Sequence, residues 1–481
     1  MQEPARVAID LGAESCRVSL LRWIGGEPAV ELIHRIPNGP VHLGGSLHWS
    51  LTTILAGLEE GLRKAAVAAP EGIASIGADS WSVDYVRLAP GGKMLGEPFC
   101  YRDERTSAGR EAAERVISPF DIYQRTGAYP LNINTVYQLI ADSVASPEGK
   151  NERIDPRAPW VMMPEFVLYW LSGKRVAEYT NASHTGLVNL KTGVWDAELF
   201  EMLGLAVEAA PPLASTGTVL GPIEGPLKQL DAFRNTLIVA PATHDTASAI
   251  AGIPGDLSTA AYISSGTWSL LGAVIQTPVT TQLAFDAGYT NIGAAAGGLL
   301  FHSLINSMWV LKQCMDAWAS AGRPWKIEDL IQKAAACNAA GVLDMDAAPL
   351  MLDTDMPRRI NGELRRLGFD EIPDLPGNEP IFARAIFESL ARRYASATAN
   401  LEKLLGRKLE RIHMIGGATR NKLLVELTER YTGLKVEIGE TESSTIGNLS
   451  IQLAASEAGG QRVTPPAVRK WAQVLCRGKN C

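Results

Sequence analysis

The chain lacks the short motifs that identify most nucleotide-binding and hydrolytic enzymes. It contains no Gly-x-Gly, which excludes the dinucleotide-binding fingerprint, and no Gly-Lys pair is followed by Ser or Thr, which excludes a Walker-type phosphate loop. The patterns H-E-x-x-H and G-x-S-x-G are also missing, which weakens zinc-protease and α/β-hydrolase interpretations. A phosphate site in this chain must be built from a different kind of loop.

Cysteine pairs and long apolar runs are scarce as well. The six cysteines are scattered without a C-x-x-C pair, which argues against a structural zinc site and a disulfide-dense scaffold. Residues 257–285 and 287–311 carry no charge, but Gly, Pro, Ser, Thr and Asn interrupt both, so neither has the ~20 predominantly apolar residues of a spanning helix. No signal-peptide pattern precedes Val7. We expect a cytoplasmic protein that does not bind membranes.

Positive charge is in deficit, since 45 Lys and Arg stand against 52 Asp and Glu for a net charge of -7. Binding to nucleic acid needs a surplus of Lys and Arg, so we expect no nucleic-acid partner. A mononucleotide is not excluded, because backbone amides and a metal ion can hold its phosphates. The length of 481 residues, 46% of them hydrophobic, is enough for two packed domains.

Two segments of similar pattern are present, at residues 6–21 and 259–274. Each is an apolar strand, a short polar turn and a second apolar strand, which predicts a β-hairpin. The two segments begin the two halves of the chain, so we predict two related domains, residues 1–250 and 251–481. Strands alternate with helical patterns elsewhere, as at residues 411–428, which indicates the α/β class.

The tips of both predicted hairpins are rich in Gly, Ser and Thr. Backbone N–H groups at such tips can form an anion nest for phosphate. Asp10 ends the first strand and would be placed to hold Mg²⁺, a hard cation that prefers carboxylate, phosphate and water oxygens. The alternative is that both tips are simply good turn sequences. Two such tips in one chain favour phosphate binding.

Asp245 lies between an apolar strand at residues 237–240 and a helical pattern. A carboxylate at such a junction lies at the C-terminal edge of the sheet, where open α/β sheets bind ligands. Asp245 could accept a proton from a substrate hydroxyl there, or Asp245 or Thr246 could merely cap the helix. We interpret His244 as an orienting or substrate-contact residue, since no second histidine lies at metal-ligand spacing.

Residues 77–85 combine two carboxylates, an indole and a phenol. Such a segment suits a sugar, because aromatic faces meet its C–H groups and carboxylates accept its hydroxyls. Ser82 and Asp84 are the candidate contacts. Residues 101–106 form a second polar cluster. Both segments could equally be surface loops with salt bridges.

Taken in order, these sites resemble the FGGY family of carbohydrate kinases. The matching segments cover nearly the whole chain and are residues 10–15, 34–39, 81–85, 101–106, 123–127, 163–165, 178–183, 243–246, 264–270 and 415–417. One such segment would be weak support, whereas this many in family order are specific.

The resemblance implies two ribonuclease-H-like domains of the actin-like ATPase superfamily, with a cleft that closes over ATP and a ketose. By position, Asp245 matches the family's proton acceptor and Asp10 its magnesium-linked aspartate. The nucleotide residues that it implies are Gly12, Ala13, Glu14, Ser15, Cys16, Arg17, Gly266, Thr267, Gly416 and Gly417, and the substrate side is Ser82, Asp84, His244, Asp245, Thr246 and Asn306. The expected partners are a small ketose and MgATP, with the chain as a monomer or homodimer.

Three positions depart from the usual motifs of that family, and one of them is the segment at residues 289–292, which lacks the glutamate that usually follows its Thr-Asn pair. Cys16 precedes Arg17 where glycine is usual, and it would be strained if the position required a positive φ. Ser82 replaces the glycine of Trp-Gly-Val-Asp. Three alternatives stay open: a family kinase for L-fuculose, a pentulose or a polyol; a non-catalytic sensor of sugar or nucleotide; and an ATPase that polymerises.

Overall fold

A computed structural model describes residues 4–144 and 154–477, in which each half of the chain is organised around a six-stranded sheet. The strands are β1 Ala5–Leu11, β2 Ser15–Ile24, β3 Glu27–Pro37, β4 Pro40–Leu43, β5 Ser46–Trp49, β6 Ile73–Ser80, β7 Tyr85–Arg87, β8 Trp160–Met162, β9 Ala177–Glu178, β10 Leu213–Ala214, β11 Thr218–Pro222, β12 Leu237–Ala240, β13 Ala260–Ser265, β14 Trp268–Ile275, β15 Tyr289–Gly293, β16 Leu299–Asn306, β17 Arg411–Ile415 and β18 Lys435–Ile438. The helices are α1 Leu51–Ala68, α2 Thr106–Glu114, α3 Pro119–Thr126, α4 Thr135–Ser143, α5 Met163–Ser172, α6 Tyr179–Ala182, α7 Ala197–Met202, α8 Asp245–Ala251, α9 Gln282–Asp286, α10 Met308–Ser320, α11 Ile327–Ala335, α12 Met356–Arg366, α13 Glu379–Leu405, α14 Lys422–Thr432, α15 Ser443–Ala458 and α16 Pro465–Leu475.

The first sheet has the strand order β11-β12-β6-β1-β2-β3. The antiparallel pair β1 and β2 is the predicted hairpin, and β3 continues it, whereas β6 and β12 run parallel to β1 on its other side. Every residue of β1 is buried, because the strand is central and both faces are covered. Val7 and Ile9 pack towards α1 and α5, and Ala8 packs towards α15.

The second sheet, β15-β16-β14-β13-β17-β18, repeats this plan. The second predicted hairpin is β13 with β14, continued antiparallel by β16, and β17 and β18 run parallel on the other side of β13. The predicted α/β class is therefore confirmed, and the two halves share one topology around their hairpins.

Helix α13 has 27 residues, and its apolar residues from Phe382 to Leu405 recur at steps near the helical period. Pro380 lies in its first turn, where the missing N–H costs nothing, and Gly406 ends it in a left-handed conformation. Its apolar side is buried in the core of the second half. Across the described parts of the chain, no helix combines the length and the apolar composition needed to span a bilayer.

Helix α15 follows the second sheet in sequence but packs on the first sheet. Its residues Ser444, Asn448 and Gln452 are four positions apart, so they line one side of the helix. Gln452 donates from Nε2 to the carbonyl oxygen of Val7 at 2.9 Å and accepts at Oε1 from Ser75 Oγ at 2.6 Å. This polar side of α15 ties the two halves together.

The crossing of α15 with α8 depends on glycine. A Cβ atom on Gly447 would lie 1.7 Å from the carbonyl oxygen of Ser248, and one on Gly252 would lie 2.4 Å from that of Ser443. These distances are far below a van der Waals contact, so the two helices touch backbone to backbone.

We expect Gly447→Ala to lower the free energy of unfolding by roughly 1–3 kcal/mol, because the added methyl forces the helices apart. The matched control is Gly362→Ala in α12, where a Cβ meets nothing within 4 Å and the better helix propensity of alanine should stabilise by about 0.8–1 kcal/mol. Urea unfolding measures both variants. Equal stability of the two would contradict the tight crossing.

Candidate active site

Three carboxylates and a histidine converge at the carboxyl edge of the first sheet. Strands β1 and β6 run parallel with Asp10 opposite Asp79. An isolated bridge at the end of β6 places Ser80 beside His244, and Asp245 follows as the first residue of α8. The fold thus brings the predicted metal residue and the predicted base to one edge.

Asp10 is buried and accepts two hydrogen bonds at Oδ2, from Arg17 Nη1 at 3.0 Å and from Ser444 Oγ at 2.6 Å. Asp10 and Arg17 are cross-strand partners in the first hairpin. The same Arg17 nitrogen lies 2.6 Å from Glu442 Oε2, just before α15. Arg17 therefore neutralises one carboxylate from each half of the chain.

Asp79 is fully buried beside Asp10. Its Oδ2 accepts from Asn448 Nδ2 at 2.6 Å, and its buried Oδ1 has no protein donor within the described ranges. Burial, followed by the negative charge of Asp10, raises the pKa of Asp79 well above its usual value. The sequence placed Asp79 in the segment expected to suit a sugar and not beside the metal residue, although it lies near the end of its strand in the same way as Asp10.

Asp245 is 37% exposed at its side chain, so its carboxylate is open to solvent. Its Oδ1 accepts from the backbone N–H and the hydroxyl of Thr246 and lies 3.4 Å from His244 Nε2. Within the described chain no donor reaches Oδ2. Partial burial of the carboxylate, followed by the charge of Asp10, raises the pKa of Asp245 to about 7. The residue therefore bonds the first turn of its helix and keeps one oxygen available for another partner.

Two buried glutamates hold the backbone that carries His244 and Asp245. Glu178 accepts from the backbone N–H of Thr243 at 3.1 Å, and Glu165 accepts from the Thr243 hydroxyl at 2.7 Å. Burial raises the pKa of Glu165 to about 7 and also raises the pKa of Glu178. Their acceptor oxygens fix the turn that leads into α8.

Asp84 is fully buried within the loop that the sequence predicts to bind a sugar. Its Oδ2 accepts from the indoles of Trp49 at 2.6 Å and Trp81 at 2.9 Å, and its Oδ1 accepts from Gln138 Nε2 at 3.0 Å. Burial raises the pKa of Asp84 to about 6. In this structure Asp84 anchors the loop, and its direct contact with a substrate stays a prediction.

The residue in a left-handed conformation in this loop is Val83, with φ 73°, and Ser82 is not among the positive-φ residues. A β-branched residue in this region is strained by roughly 1–3 kcal/mol. The carbonyl oxygen of Val83 accepts from Thr135 Oγ1 at 2.7 Å and Gln138 Nε2 at 3.2 Å, which holds the conformation. Ser82 is partly exposed beside it.

The tip of the first hairpin presents Gly12, Ala13, Glu14 and Ser15, all at least partly exposed. Asn38 holds it from β3's end, donating its backbone N–H to the Glu14 carbonyl at 3.0 Å and its side-chain amide to the Gly12 carbonyl at 2.9 Å. Cys16 is not at the turn. It is a buried residue of strand β2, so the strain that a positive φ would cause does not arise.

The second hairpin meets the Gly416–Gly417 turn. Gly416 has φ 88°, and a Cβ atom there would lie 2.6 Å from the carbonyl oxygen of Ser265, so only glycine fits this approach. The backbone N–H of Gly416 donates to the carbonyl of Glu440, two residues before Glu442, the partner of Arg17. Residues 440–442 therefore contact both the turn beside the second hairpin and Arg17 of the first hairpin.

A cavity of about 560 Å³ lies beside this turn, lined by Gly266, Gly417 and Asn421 among others. Asn421 caps α14 with Oδ1, which accepts from the Leu424 N–H at 3.1 Å, while its buried Nδ2 has no partner in the described structure. A donor without a partner beside a cavity suits a ligand with acceptor atoms, such as a nucleotide base.

The predicted residues Thr267 and Asn306 lie near the second hairpin. Asn306 pairs with Trp268 across β14 and β16, and its side-chain amide donates to the Leu350 carbonyl at 3.0 Å. The Thr267 carbonyl accepts from the backbone N–H of Trp309. Asn306 therefore lies beside the second hairpin, and its contact with the sugar stays a prediction.

The fold agrees with the comparisons to known families. Residues 6–252 match the N-terminal domain and residues 261–456 the C-terminal domain of the FGGY family of carbohydrate kinases. The chain belongs to this family, as its motifs predicted.

The similar curated proteins include rhamnulokinases. The chain is 33% identical to the rhamnulokinase of Bacteroides thetaiotaomicron, over 98% of each chain. It is 35% identical to the rhamnulokinase of Yersinia pestis, over 93% of this chain and 89% of that protein.

Solved structures share the whole fold at low identity. A gluconate kinase from Lactobacillus acidophilus has a TM-score of 0.73 at 19% identity, over 99% of this chain and 98% of the other. Glycerol kinase of Plasmodium falciparum with ADP has a TM-score of 0.76 at 16% identity, over 98% and 92%. The predicted two-domain fold of actin-like type is confirmed.

We expect Gln138→Met to lower the free energy of unfolding by roughly 1–3 kcal/mol, because the buried Oδ1 of Asp84 loses the Gln138 donor and the Val83 carbonyl keeps only Thr135. The matched control is Gln282→Met, where the glutamine is exposed and bonds only Asp286. Denaturant unfolding followed by tryptophan fluorescence measures both. A Gln138 variant as stable as the control would show that the amide does not hold the loop.

Proposed function

We propose that the protein transfers the γ-phosphate of ATP to a ketose, with L-rhamnulose as the substrate and L-rhamnulose 1-phosphate as the product. The observation that carries the proposal is that the solvent-exposed carboxylate of Asp245 lies at the same edge of the first sheet as Asp10 and Arg17. The part of the chain that forms this sheet matches a carbohydrate-kinase family. The choice of sugar rests on the rhamnulokinases at 33% and 35% identity.

In the proposed reaction Asp245 accepts the proton of the C1 hydroxyl of the ketose. The hydroxyl oxygen forms a bond to the γ-phosphorus as the bond from that phosphorus to the β–γ bridging oxygen breaks, which yields the sugar phosphate and ADP. A pKa of about 7 suits a base that must be ionised near neutral pH and then give its proton to solvent. Amides of the two hairpins stabilise the charge on the transferring group.

We assign the nucleotide to the cavity beside Gly417, where Asn421 Nδ2 has no partner among residues 4–144 and 154–477. The neighbouring acids Asp10 and Asp79 suit a divalent cation, and Asp79 Oδ1 has no donor in the described part of the chain. Asp10 would hold Mg²⁺ with few protein ligands, since magnesium keeps water and phosphate oxygens. The ion would offset the charge of the phosphates. A cytoplasmic location and a monomer or homodimer remain our predictions.

The substrate is tested by ADP release with a panel of L-rhamnulose, L-fuculose, pentuloses and polyols. We expect the highest kcat/KM with L-rhamnulose. A higher kcat/KM for another sugar would show that the protein is a kinase with a different substrate. Ser82, which stands in place of the usual glycine, is a reason to test this. Ligand binding without ADP release from any sugar would identify a sensor instead.

We expect Asp245→Asn to lower kcat by roughly 10²–10⁴-fold, because the amide cannot accept the proton. ATP affinity, measured by calorimetry, should stay within about twofold, since Asp245 is assigned to the sugar side. Asp316→Asn, at a 58% exposed aspartate of α10, is the matched control and should keep full activity. Near-unchanged turnover in the Asp245 variant would exclude its role as the base.

A further inference from the structure

A second histidine adjoins His244 on the side away from Asp245. The His184 Nε2 atom lies 3.2 Å from His244 Nδ1, and the ring centroids are 4.0 Å apart. On the other side of the His244 ring, Nε2 lies 3.4 Å from Asp245 Oδ1. The three side chains form a row that ends at the carboxylate proposed as the base.

His184 is held rigidly in this row. It lies in the short 3₁₀ turn Ser183–Thr185, and its carbonyl oxygen accepts from Asn134 Nδ2 at 3.1 Å. The hydroxyl of the preceding Ser183 accepts from the backbone N–H of Gly293, at the end of β15, at 2.8 Å. Contacts from both halves of the chain therefore fix the backbone turn that carries His184.

Both rings are neutral. Burial lowers the pKa of His244 to about 3 and the pKa of His184 well below its usual value. His302, whose Nδ1 bonds the Tyr262 hydroxyl at 2.8 Å, disfavours a further positive charge on either. A neutral imidazole has one N–H donor and one acceptor nitrogen. The role of one ring nitrogen therefore determines the role of the other, and with it the role of the neighbouring group.

We propose that His184 is a positioning residue that fixes the tautomer of His244. When Asp245 is ionised it can only accept, so a hydrogen on Nε2 of His244 suits the 3.4 Å approach to Asp245 Oδ1 and leaves Nδ1 as the acceptor. The donor for that nitrogen is His184 Nε2–H. Without it, His244 is free to carry the hydrogen on Nδ1, which would turn a lone pair of Nε2 towards the carboxylate.

This inference rests on the proposed function for its kinetic consequence, but the tautomer can be measured without a sugar. The variants are His184→Phe, which keeps a planar ring and loses the donor, and His184→Gln, whose amide N–H replaces it. Two-bond ¹H–¹⁵N spectra of protein labelled with ¹⁵N-histidine report the tautomer of each ring, and His244→Gln assigns the His244 signals.

We expect the Nε2–H form of His244 in the natural protein and in His184→Gln, and a mixture in His184→Phe. With L-rhamnulose and ATP, kcat should fall roughly 3- to 10-fold in His184→Phe, the size of one lost hydrogen bond, with the KM for ATP unchanged. His184→Gln should recover most of this loss.

An unchanged tautomer in His184→Phe, or a Gln variant as slow as the Phe variant, would overturn the inference. If the natural protein phosphorylates no sugar, the proposed function fails, and the spectra alone still decide the role of His184. Circular dichroism confirms that each variant is folded.

Discussion

The parallel alignment of β1, β6 and the segment that enters α8 is the constraint on which the site depends. These three pieces of chain are separated by long stretches of sequence, yet each ends at the same edge of one sheet. Asp10, Asp79 and Asp245 are placed there as neighbours. The backbone hydrogen bonds between these strands fix the relative positions of groups whose like charges would otherwise separate them.

The acidic edge is stabilised from the other half of the chain. Ser444 and Asn448 of α15 donate to Asp10 and Asp79, and Arg17 lies between Asp10 and Glu442. A cluster of buried carboxylates needs such donors, because an unpaired buried charge is costly. The same helix crosses α8 at Gly447, so the element that stabilises the acids also sets how closely the two halves approach.

The loop expected to face the sugar uses a different device. Its strained residue Val83 and its buried Asp84 are both held by Gln138, which donates from one amide to both of them. A strained backbone persists only where surrounding bonds over-determine it, as they do here. Such a loop keeps its shape before a ligand arrives, which lowers the entropy lost on binding.

Much of the framework could be predicted from local sequence. The two hairpins, the long helix ending at Gly406 and the strand before Asp245 follow from apolar periodicity and turn residues, which act over a few neighbouring positions. The motifs in family order identified the kinase family and directed attention to Asp10 and Asp245. The backbone conformation of Cys16 could not be predicted, because the sequence did not show whether the turn included it. The register of β1 with β2 places Cys16 inside a strand.

The sequence by itself determined the local elements, the α/β class and the family, because each is encoded in short-range pattern. Only the tertiary structure decided that Asp79 joins the acidic edge, that α15 returns to the first sheet and that His184 reaches His244. Each of these depends on strand register or helix packing between distant segments. Such contacts are set by the whole fold, so single residues gave little sign of them.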